Sequence, residues 1–298
     1  MSNPPHRFAF NYKEQTVKDI CVGAVQMVSG DSVSVNLERA CELLTQAVDQ
    51  GAQLVLLPEN FAHLADGGSY SVAEPFARGT ADPELHPVQF SLQKWSRELG
   101  IWIAAGSVSL LQREDGSPVP GSRSRSAFLL YDNRGKLVTR YDKMHLFDVE
   151  VADAAGRYCE SASIEPGDNP VSAHTPWGRL GLSICFDLRF PELYRQLAMA
   201  GAEVFMIPAA FTHTTGQAHW MTLLRARAIE NGCFVVAAAQ GGQHSHRRRT
   251  WGHSAIIDPW GEVLAEMGEG EGVVTAVLEA DQLEKVRKNM PLLCMRRL

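Results

Sequence analysis

Residues 178–203 read GRLGLSICFDLRFPELYRQLAMAGAE, and this stretch passes from a strand pattern to a helix pattern within a few residues. The apolar residues at 180–184 alternate as in a buried strand. Pro191 then fits the first turn of a helix, where its missing N–H costs nothing, and leucines follow at helical spacing. Cys185 lies where the first pattern ends. A strand that leads into a helix in this way predicts an α/β fold with Cys185 at the edge of a sheet.

The same alternation of strand and helix patterns recurs along the chain. Strand patterns lie at residues 22–28, 54–57, 101–108, 204–207 and 233–239, helix patterns at 37–48, 88–99 and 220–229, and hairpin turns at 132–135 and 258–261. Near-continuous apolar strands of this kind are typical of sheets that are covered on both faces.

Two pairs of short segments resemble each other. GAQLVLLP at 51–58 is similar to GAEVFMIP at 201–208, and SAFLL at 126–130 is similar to SAII at 254–257. Each pair occupies the same place in its half of the chain. We therefore expect two similar α/β halves whose sheets pack face to face with the helices outside.

Length and composition limit the functions that the chain can have. The 298 residues, 45% of them hydrophobic, are enough to bury a large core, and the net charge of −6 argues against nucleic acid or an anionic membrane as the main partner. No apolar stretch approaches a membrane span, and the first residues lack the apolar core of a secretory signal. Six cysteines without a CxxC pair indicate reduced thiols in the cytoplasm. We expect an N-terminal tail at residues 1–19 and one domain at residues 20–298.

Cys185, Glu59 and Lys143 are the candidate catalytic residues. A thiol near a helix N-terminus is stabilised as a thiolate and can act as a nucleophile, although a free cysteine is more often part of the core. Glu59 directly follows the strand pattern at 54–57, where loss of water contact suits a general base. It could also face solvent there. Lys143 ends the first hairpin and, taken alone, is most simply a solvated surface charge.

Three motifs connect these residues to a known family. LVLLPENF carries Glu59, RYDKMHLFD carries Lys143, and CFDLRFPELYR carries Cys185. In this order, and over residues 22–277, the chain resembles the nitrilase superfamily of carbon–nitrogen hydrolases. The resemblance implies a four-layer α-β-β-α sandwich, no cofactor, and a homodimer or higher homo-oligomer associated through its helices.

The resemblance also implies the chemistry, which is hydrolysis of a small-molecule amide through a thioester on Cys185. Glu59 takes the thiol proton, and Lys143 and the backbone N–H of Phe186 stabilise the oxyanion. Glu160, in the motif RYCES, keeps Lys143 charged and oriented. The family commonly has tyrosine at the position of Phe186, so a hydroxyl contact is lost here and the fine substrate preference is affected.

One branch of the superfamily is especially similar. The stretches CFDLRFPEL, TTGQAHWMTLLRARAIENGCFVVAAAQGGQH and GHSAIIDPWGEVLAE resemble the branch that hydrolyses deaminated glutathione, the oxo-analogue of glutathione, to 2-oxoglutarate and Cys-Gly. This substrate carries a carboxylate at each end, so cationic and donor groups are expected near the nucleophile. Arg189 is one candidate, with a structural salt bridge as its alternative role. Thr212 and His219, expected in the loop after the strand at 204–207, are the others.

Several alternatives remain open at this point. An ω-amidase acting on 2-oxoglutaramate would share every catalytic part, and an N-carbamoyl amidohydrolase is a more distant option. A binding or scaffold protein on this fold and a metal-dependent hydrolase belong to other classes. Residues 244–249 read HSHRRR, but a lone H-x-H is a weak metal signal, so we expect no metal site. We expect this segment to rim the pocket, where it could help to bind the glycine carboxylate of a peptide-like substrate.

Overall fold

The computed structural model describes residues 18–66 and 68–297, so residues 1–17 of the expected tail lie outside the described residues. The strands are β1 (Ile20–Gln26), β2 (Leu54–Leu56), β3 (Trp102–Leu110), β4 (Arg125–Tyr131), β5 (Leu137–Asp142), β6 (Asp148–Glu150), β7 (Arg157–Cys159), β8 (Ser172–Thr175), β9 (Gly178–Leu182), β10 (Val204–Ala209), β11 (Phe234–Ala239), β12 (Ala255–Ile257), β13 (Val263–Glu266) and β14 (Gly272–Leu278). The helices are α1 (Val33–Asp49), α2 (Pro87–Leu99), α3 (Pro191–Met199), α4 (His213–Asn231), α5 (Ala280–Asn289) and α6 (Leu292–Met295). None of the helices in these ranges is long and apolar enough to cross a membrane.

The main strands form two six-stranded sheets with matching strand orders. The first sheet has the order β14-β1-β2-β3-β4-β5 and the second the order β8-β9-β10-β11-β12-β13. In both sheets the first pair is antiparallel, the next two pairs are parallel, and the last two are antiparallel. The similar segments at 51–58 and 201–208 supply the third strand of each sheet. The expectation of two equivalent halves is therefore confirmed.

The two sheets pack face to face, and helices cover their outer faces. β1 contacts β11 and β3 contacts β10 across the interior, while α1 and α2 lie on the first sheet and α3 and α4 on the second. Strand β2 shows why its sequence is apolar throughout. Leu54 and Leu56 belong to the core between the sheets, and Val55, like Leu57 just after the strand, belongs to the core beneath the helices. The result is the four-layer α-β-β-α sandwich that the sequence predicts.

The carboxyl ends of the parallel strands from both sheets meet at one edge of the sandwich. A parallel bridge between Met27 and Gln240 joins the ends of β1 and β11. Strand β5 runs in the same direction as β3, because β4 is antiparallel to both. The segments that follow β2, β5 and β9 therefore leave the sheets on the same side, which is where α/β proteins place their ligand sites.

Two element boundaries differ from the sequence prediction. Helix α4 begins at His213 rather than near residue 220, and the Thr212 hydroxyl caps it by accepting the Thr215 N–H at 3.3 Å. Strand β9 ends at Leu182, and a 3-10 turn over Cys185–Arg189 separates it from α3. The polar first turns of α4 lack the apolar spacing that marks a helix in sequence.

Candidate active site

Glu59, Lys143 and Cys185 lie together at the shared edge of the two sheets. Glu59 follows β2, Lys143 follows β5, and Cys185 follows β9. Their exposed fractions are 3%, 2% and 7%, and all of them line one cavity. Residues far apart in sequence are thus brought to one site because the strands that precede them end at the same edge.

Lys143 forms a buried ion cluster with two glutamates. Its Nζ donates to Glu59 Oε1 at 2.8 Å and to both carboxylate oxygens of Glu160 at 2.8 Å each. Burial by itself lowers the pKa of Lys143, but the carboxylates of Glu160 and Glu59 outweigh this effect and hold the pKa well above its usual value. A permanently charged ammonium group therefore lies between two carboxylates and beside the thiol.

Glu160 is fixed by the backbone as well as by the lysine. Its Oε2 accepts the Phe147 N–H at 2.7 Å, in addition to the bonds from Lys143. Burial raises the pKa of Glu160, and Lys143 opposes this shift. Because the Glu160 carboxylate is held by the Phe147 N–H, it can in turn hold the Lys143 ammonium in place.

Cys185 begins the 3-10 turn in a strained conformation, with φ of 48°, a left-handed value that is uncommon outside glycine. Burial and the nearby Glu59 carboxylate raise the pKa of the Cys185 thiol well above its usual value, while Lys143 and the backbone N–H of Ala210 oppose the shift. The expectation that a helix end favours the thiolate is therefore wrong in its net effect. The turn over Cys185–Arg189 separates Cys185 from the start of α3 at Pro191, so the nucleophile does not lie at the end of that helix.

Asp187 is a site residue that the sequence reasoning missed. Its fully buried carboxylate accepts the Tyr141 hydroxyl at 2.6 Å and the N–H groups of Ile184 at 2.8 Å and His145 at 3.0 Å. His145 Nδ1 also lies 2.7 Å from this carboxylate, and the His145 ring stacks on Phe190 at 3.7 Å. Asp187 thus ties the nucleophile turn to the segment that carries the lysine. The available signal was an acidic residue two positions after the candidate nucleophile, between the apolar residues Phe186 and Leu188.

A cavity of about 340 Å³ opens above the three candidate catalytic residues. Phe147 forms the centre of an aromatic wall, with its ring centroid 5.1 Å from that of Phe186 and 5.0 Å from that of Tyr158. The volume lies in the range of small-molecule sites, and the mixture of apolar walls and a few charged groups is typical of them.

Arg189 lines the same cavity. Its guanidinium lies over the rings of Phe211, at 5.1 Å, and Phe186, at 5.7 Å, and its Nη1 is 3.2 Å from Nδ1 of His219. Desolvation lowers its pKa. Within residues 18–66 and 68–297, Arg189 forms no ion pair with a carboxylate. The described residues therefore do not give it the alternative role of a structural salt bridge.

The two remaining substrate-binding candidates differ in position. Thr212 lines the cavity and is buried. His219 was expected in a loop, and this placement is wrong, because it lies on α4, exposed and beside Arg189 rather than on the cavity wall. The early start of the helix at His213 carries it away from the cavity.

Residues 244–249, here called the rim loop, reach the cavity through Arg248. His244 Nδ1–H donates to the Ser29 carbonyl at 2.8 Å, and its Nε2 accepts the Thr250 hydroxyl at 2.6 Å. Burial lowers the pKa of His244 to about 4, so this histidine is neutral at physiological pH. Arg248 lines the cavity. No group of three or more His, Cys, Asp or Glu side chains suited to a metal occurs in the described part of the chain.

Comparison with known proteins defines the class of this enzyme. The carbon–nitrogen hydrolase family model matches residues 21–288, and the chain belongs to this family. It is a hydrolase that acts on carbon–nitrogen bonds. It is 44% identical to a deaminated glutathione amidase of Synechocystis, over 93% of this chain and 98% of the relative. It is 40% identical to a deaminated glutathione amidase of Yersinia enterocolitica, over 93% of each chain.

A solved structure supports the same class. Nit3 of Saccharomyces cerevisiae, a member of branch 10 of the nitrilase superfamily, is similar with a TM-score of 0.81 and 27% identity. The match covers 95% of this chain and 99% of Nit3. The resemblance stated from the sequence motifs, and the fold that it implies, are thereby confirmed.

Proposed function

We propose that this protein is an amidase that hydrolyses deaminated glutathione to 2-oxoglutarate and Cys-Gly. The observation that carries the proposal is the buried cluster of Glu59, Lys143 and Cys185 at the floor of one small-molecule cavity. The names of the relatives in Synechocystis and Yersinia enterocolitica support this choice of substrate.

In the first half-reaction, Cys185 Sγ attacks the amide carbonyl carbon while Glu59 takes the thiol proton. Burial and the Glu59 carboxylate raise the pKa of the thiol, which favours loss of the proton to Glu59 as the C–S bond forms. The Lys143 ammonium and the Phe186 N–H stabilise the oxyanion. When this intermediate collapses, the C–N bond breaks, Glu59 gives its proton to the departing amine, and the acyl group stays on sulfur as a thioester.

In the second half-reaction, a water molecule attacks the thioester carbonyl and gives a proton to Glu59. The C–S bond then breaks, the proton returns to the sulfur of Cys185, and the carboxylic acid leaves. Lys143 serves both half-reactions, because each passes through an oxyanion at the same place. Glu160 has a positioning role, since its two bonds from Lys143 keep the ammonium charged and oriented.

Arg189 is the proposed partner for the carboxylate on the acyl side of the substrate. Its guanidinium has aromatic neighbours and no carboxylate partner among the described residues, and its desolvation strengthens attraction to an anion. Thr212 lies on the same wall and could donate a hydrogen bond. His219 acts on Arg189 rather than on substrate, through the contact at 3.2 Å.

A second candidate function is ω-amidase activity on 2-oxoglutaramate. The observation that favours it is the single arginine beside the nucleophile, because this smaller amide carries one carboxylate. Both substrates release 2-oxoglutarate, and they differ in the leaving group, which is ammonia for the smaller amide and Cys-Gly for the larger.

The test is a comparison of the two amides with purified enzyme, by measuring 2-oxoglutarate release. We expect a higher kcat/KM for deaminated glutathione, and no turnover of either amide by the Cys185→Ala variant. A higher kcat/KM for 2-oxoglutaramate would contradict the proposed substrate and would favour ω-amidase activity instead. Retained activity in Cys185→Ala would refute the mechanism.

We further propose that residues 20–298 form one domain that acts in the cytoplasm as a homodimer or higher homo-oligomer. All six cysteines are free, which supports a reducing compartment. The family resemblance supports association through the outer helices. Light scattering coupled to size-exclusion chromatography measures the assembly, and a monomer at micromolar concentration would contradict it.

A further inference from the structure

The rim loop supplies a second cation to the active-site cavity. Arg248 is half-buried and lines the cavity, and among the described residues its guanidinium has no carboxylate partner. Its neighbours in sequence differ from it. Arg249 pairs with Glu269 at 2.8 Å, and Arg247 is exposed and is not among the residues that line the cavity. Of these three consecutive arginines, Arg248 is the one that faces the site.

The backbone of the rim loop holds Arg248 in this position. Its carbonyl accepts the His244 N–H at 2.9 Å, and its own N–H donates to the Ser245 hydroxyl at 3.1 Å. The Ser245 hydroxyl donates in turn to the carboxylate of Asp66 at 2.9 Å, which ties the loop to another residue that lines the cavity. His244 anchors the other end through Ser29 and Thr250, as described above. The cation is therefore presented by a closed loop rather than by a free surface side chain.

Arg248 and Arg189 occupy different parts of the cavity. Arg189 lies over the ring of Phe186, the residue next to Cys185, whereas Arg248 lies on the rim loop, whose Ser245 hydroxyl donates to Asp66. Arg189 therefore lies near the reacting sulfur, and Arg248 lies where the rim loop meets the cavity. In deaminated glutathione, the glycine carboxylate is separated from the reacting carbonyl by more bonds than the carboxylate of the acyl side. The outer arginine matches the more distant carboxylate.

Asp66 is the acidic group that also lines this part of the cavity. Its carboxylate accepts the Ser245 hydroxyl, and it forms no ion pair with Arg248 within the described ranges. The guanidinium of Arg248 thus retains its donors for a ligand, and a carboxylate can accept two parallel bonds from it.

We propose that Arg248 binds the carboxylate on the leaving-group side of the substrate, and that this contact selects peptide-like amides over small primary amides. The inference rests on the proposed function, and it makes Arg248 a specificity-determining residue of the same site. It also gives the HSHRRR segment a role in substrate selection rather than in metal binding.

The experiment compares deaminated glutathione with its analogue in which the glycine carboxylate is a carboxamide. The enzymes are the wild type, Arg248→Gln, Arg248→Lys and the matched control Arg247→Gln. The wild type should prefer the carboxylate substrate by about 10- to 100-fold in kcat/KM, as expected for a charge-assisted hydrogen bond. Arg248→Gln should bring this ratio close to one, Arg248→Lys should restore part of it, and Arg247→Gln should keep the wild-type ratio.

The outcomes separate the two proposals. If the wild type hydrolyses deaminated glutathione but Arg248→Gln keeps the wild-type ratio, the assignment of Arg248 is overturned and the proposed function stands. An equal loss on both substrates in Arg248→Gln also overturns the assignment, because it indicates structural damage. If the wild type hydrolyses neither amide, the proposed function fails and the inference fails with it.

Discussion

At the scale of single residues, the site depends on a lysine that is charged because of what surrounds it. Lys143 is almost fully buried, and burial alone would favour its neutral form. Glu59 and Glu160, each at 2.8 Å, reverse this preference. The same carboxylates would repel each other without the ammonium between them. Catalysis and local stability therefore rest on the same three charges.

Replacement of Lys143 by methionine tests this dependence. We expect turnover to fall by about 10²–10³-fold, because an oxyanion-stabilising group is lost. We also expect the free energy of unfolding to fall by about 3–5 kcal/mol, since Glu59 and Glu160 are left buried without a partner. Steady-state kinetics and urea unfolding measure the two effects. Lys136→Met, at an exposed hairpin turn, is the control, and near-wild-type turnover in Lys143→Met would contradict the role.

The sequence could name the reactive residues but not their protonation states. Glu59 and Cys185 each follow a strand pattern and Lys143 ends a hairpin, but the family motifs were needed to identify them as one set. The raised pKa of the thiol depends on burial by segments distant in sequence and on the distance to Glu59. Local sequence carries no information about burial or about this distance. The prediction that a helix end lowers the pKa of the Cys185 thiol therefore had the wrong direction.

At the scale of elements, the short turn over Cys185–Arg189 controls the nucleophile. The turn places Cys185 in a left-handed conformation, and such strain persists where surrounding contacts determine it. Asp187 supplies those contacts, because it binds the turn through Ile184 and the lysine segment through Tyr141 and His145. It is a positioning residue, and it couples the two elements that carry the sulfur and the ammonium.

The Asp187→Asn variant tests this coupling. The asparagine side chain keeps one acceptor oxygen and replaces the other by an NH2 group, which cannot accept a hydrogen bond. The variant therefore loses the bonds either to Tyr141 and Ile184 or to His145. We expect kcat to fall by up to about 10²-fold with a much smaller change in KM, because a small displacement of the nucleophile is costly. Tyr141→Phe removes one donor and keeps the carboxylate, so its loss should be smaller. A change in KM alone, or an equal loss in both variants, would argue against positioning.

Element boundaries show where sequence patterns stop being informative. The start of α4 was missed because residues 213–219 are mostly polar and small, and a Thr212 cap rather than an apolar face begins the helix. As a result His219 was placed in a loop. The strand cores were located well, since strands buried on both faces leave a continuous apolar signal.

At the scale of the whole molecule, two equivalent halves support one asymmetric site. The similarity between residues 51–58 and 201–208 indicated that the two halves are equivalent, and the two sheets have the same strand order. Continuing the same alignment pairs Glu59 with Ala209. The first half supplies Glu59 and Lys143, the second half supplies Cys185, and the shared edge brings them together. Similar backbones thus carry different chemistry, which depends on particular side chains and not on the fold.

The assembly of the site across the halves could not be read from the sequence alone. Apolar periodicity predicts sheets and helices, but the edge at which the strands end depends on how one sheet faces the other. The bridge between Met27 and Gln240 fixes this relation, and the strand patterns at 22–28 and 233–239 do not indicate that their ends pair. The family motifs supplied the missing information, since they named the three residues as a set.

The most direct test of the account is to detect the acyl group on the enzyme. The enzyme is quenched in acid during turnover of deaminated glutathione, and its peptides are weighed by mass spectrometry, with a parallel reaction trapped by hydroxylamine. The account predicts the acyl group of 2-oxoglutarate on Cys185, the matching hydroxamate in the trapped reaction, and neither product from Cys185→Ala. Cys159 also lines the cavity and serves as an internal control. Release of 2-oxoglutarate with no hydroxamate and no adduct, or with the adduct on Cys159, would contradict it.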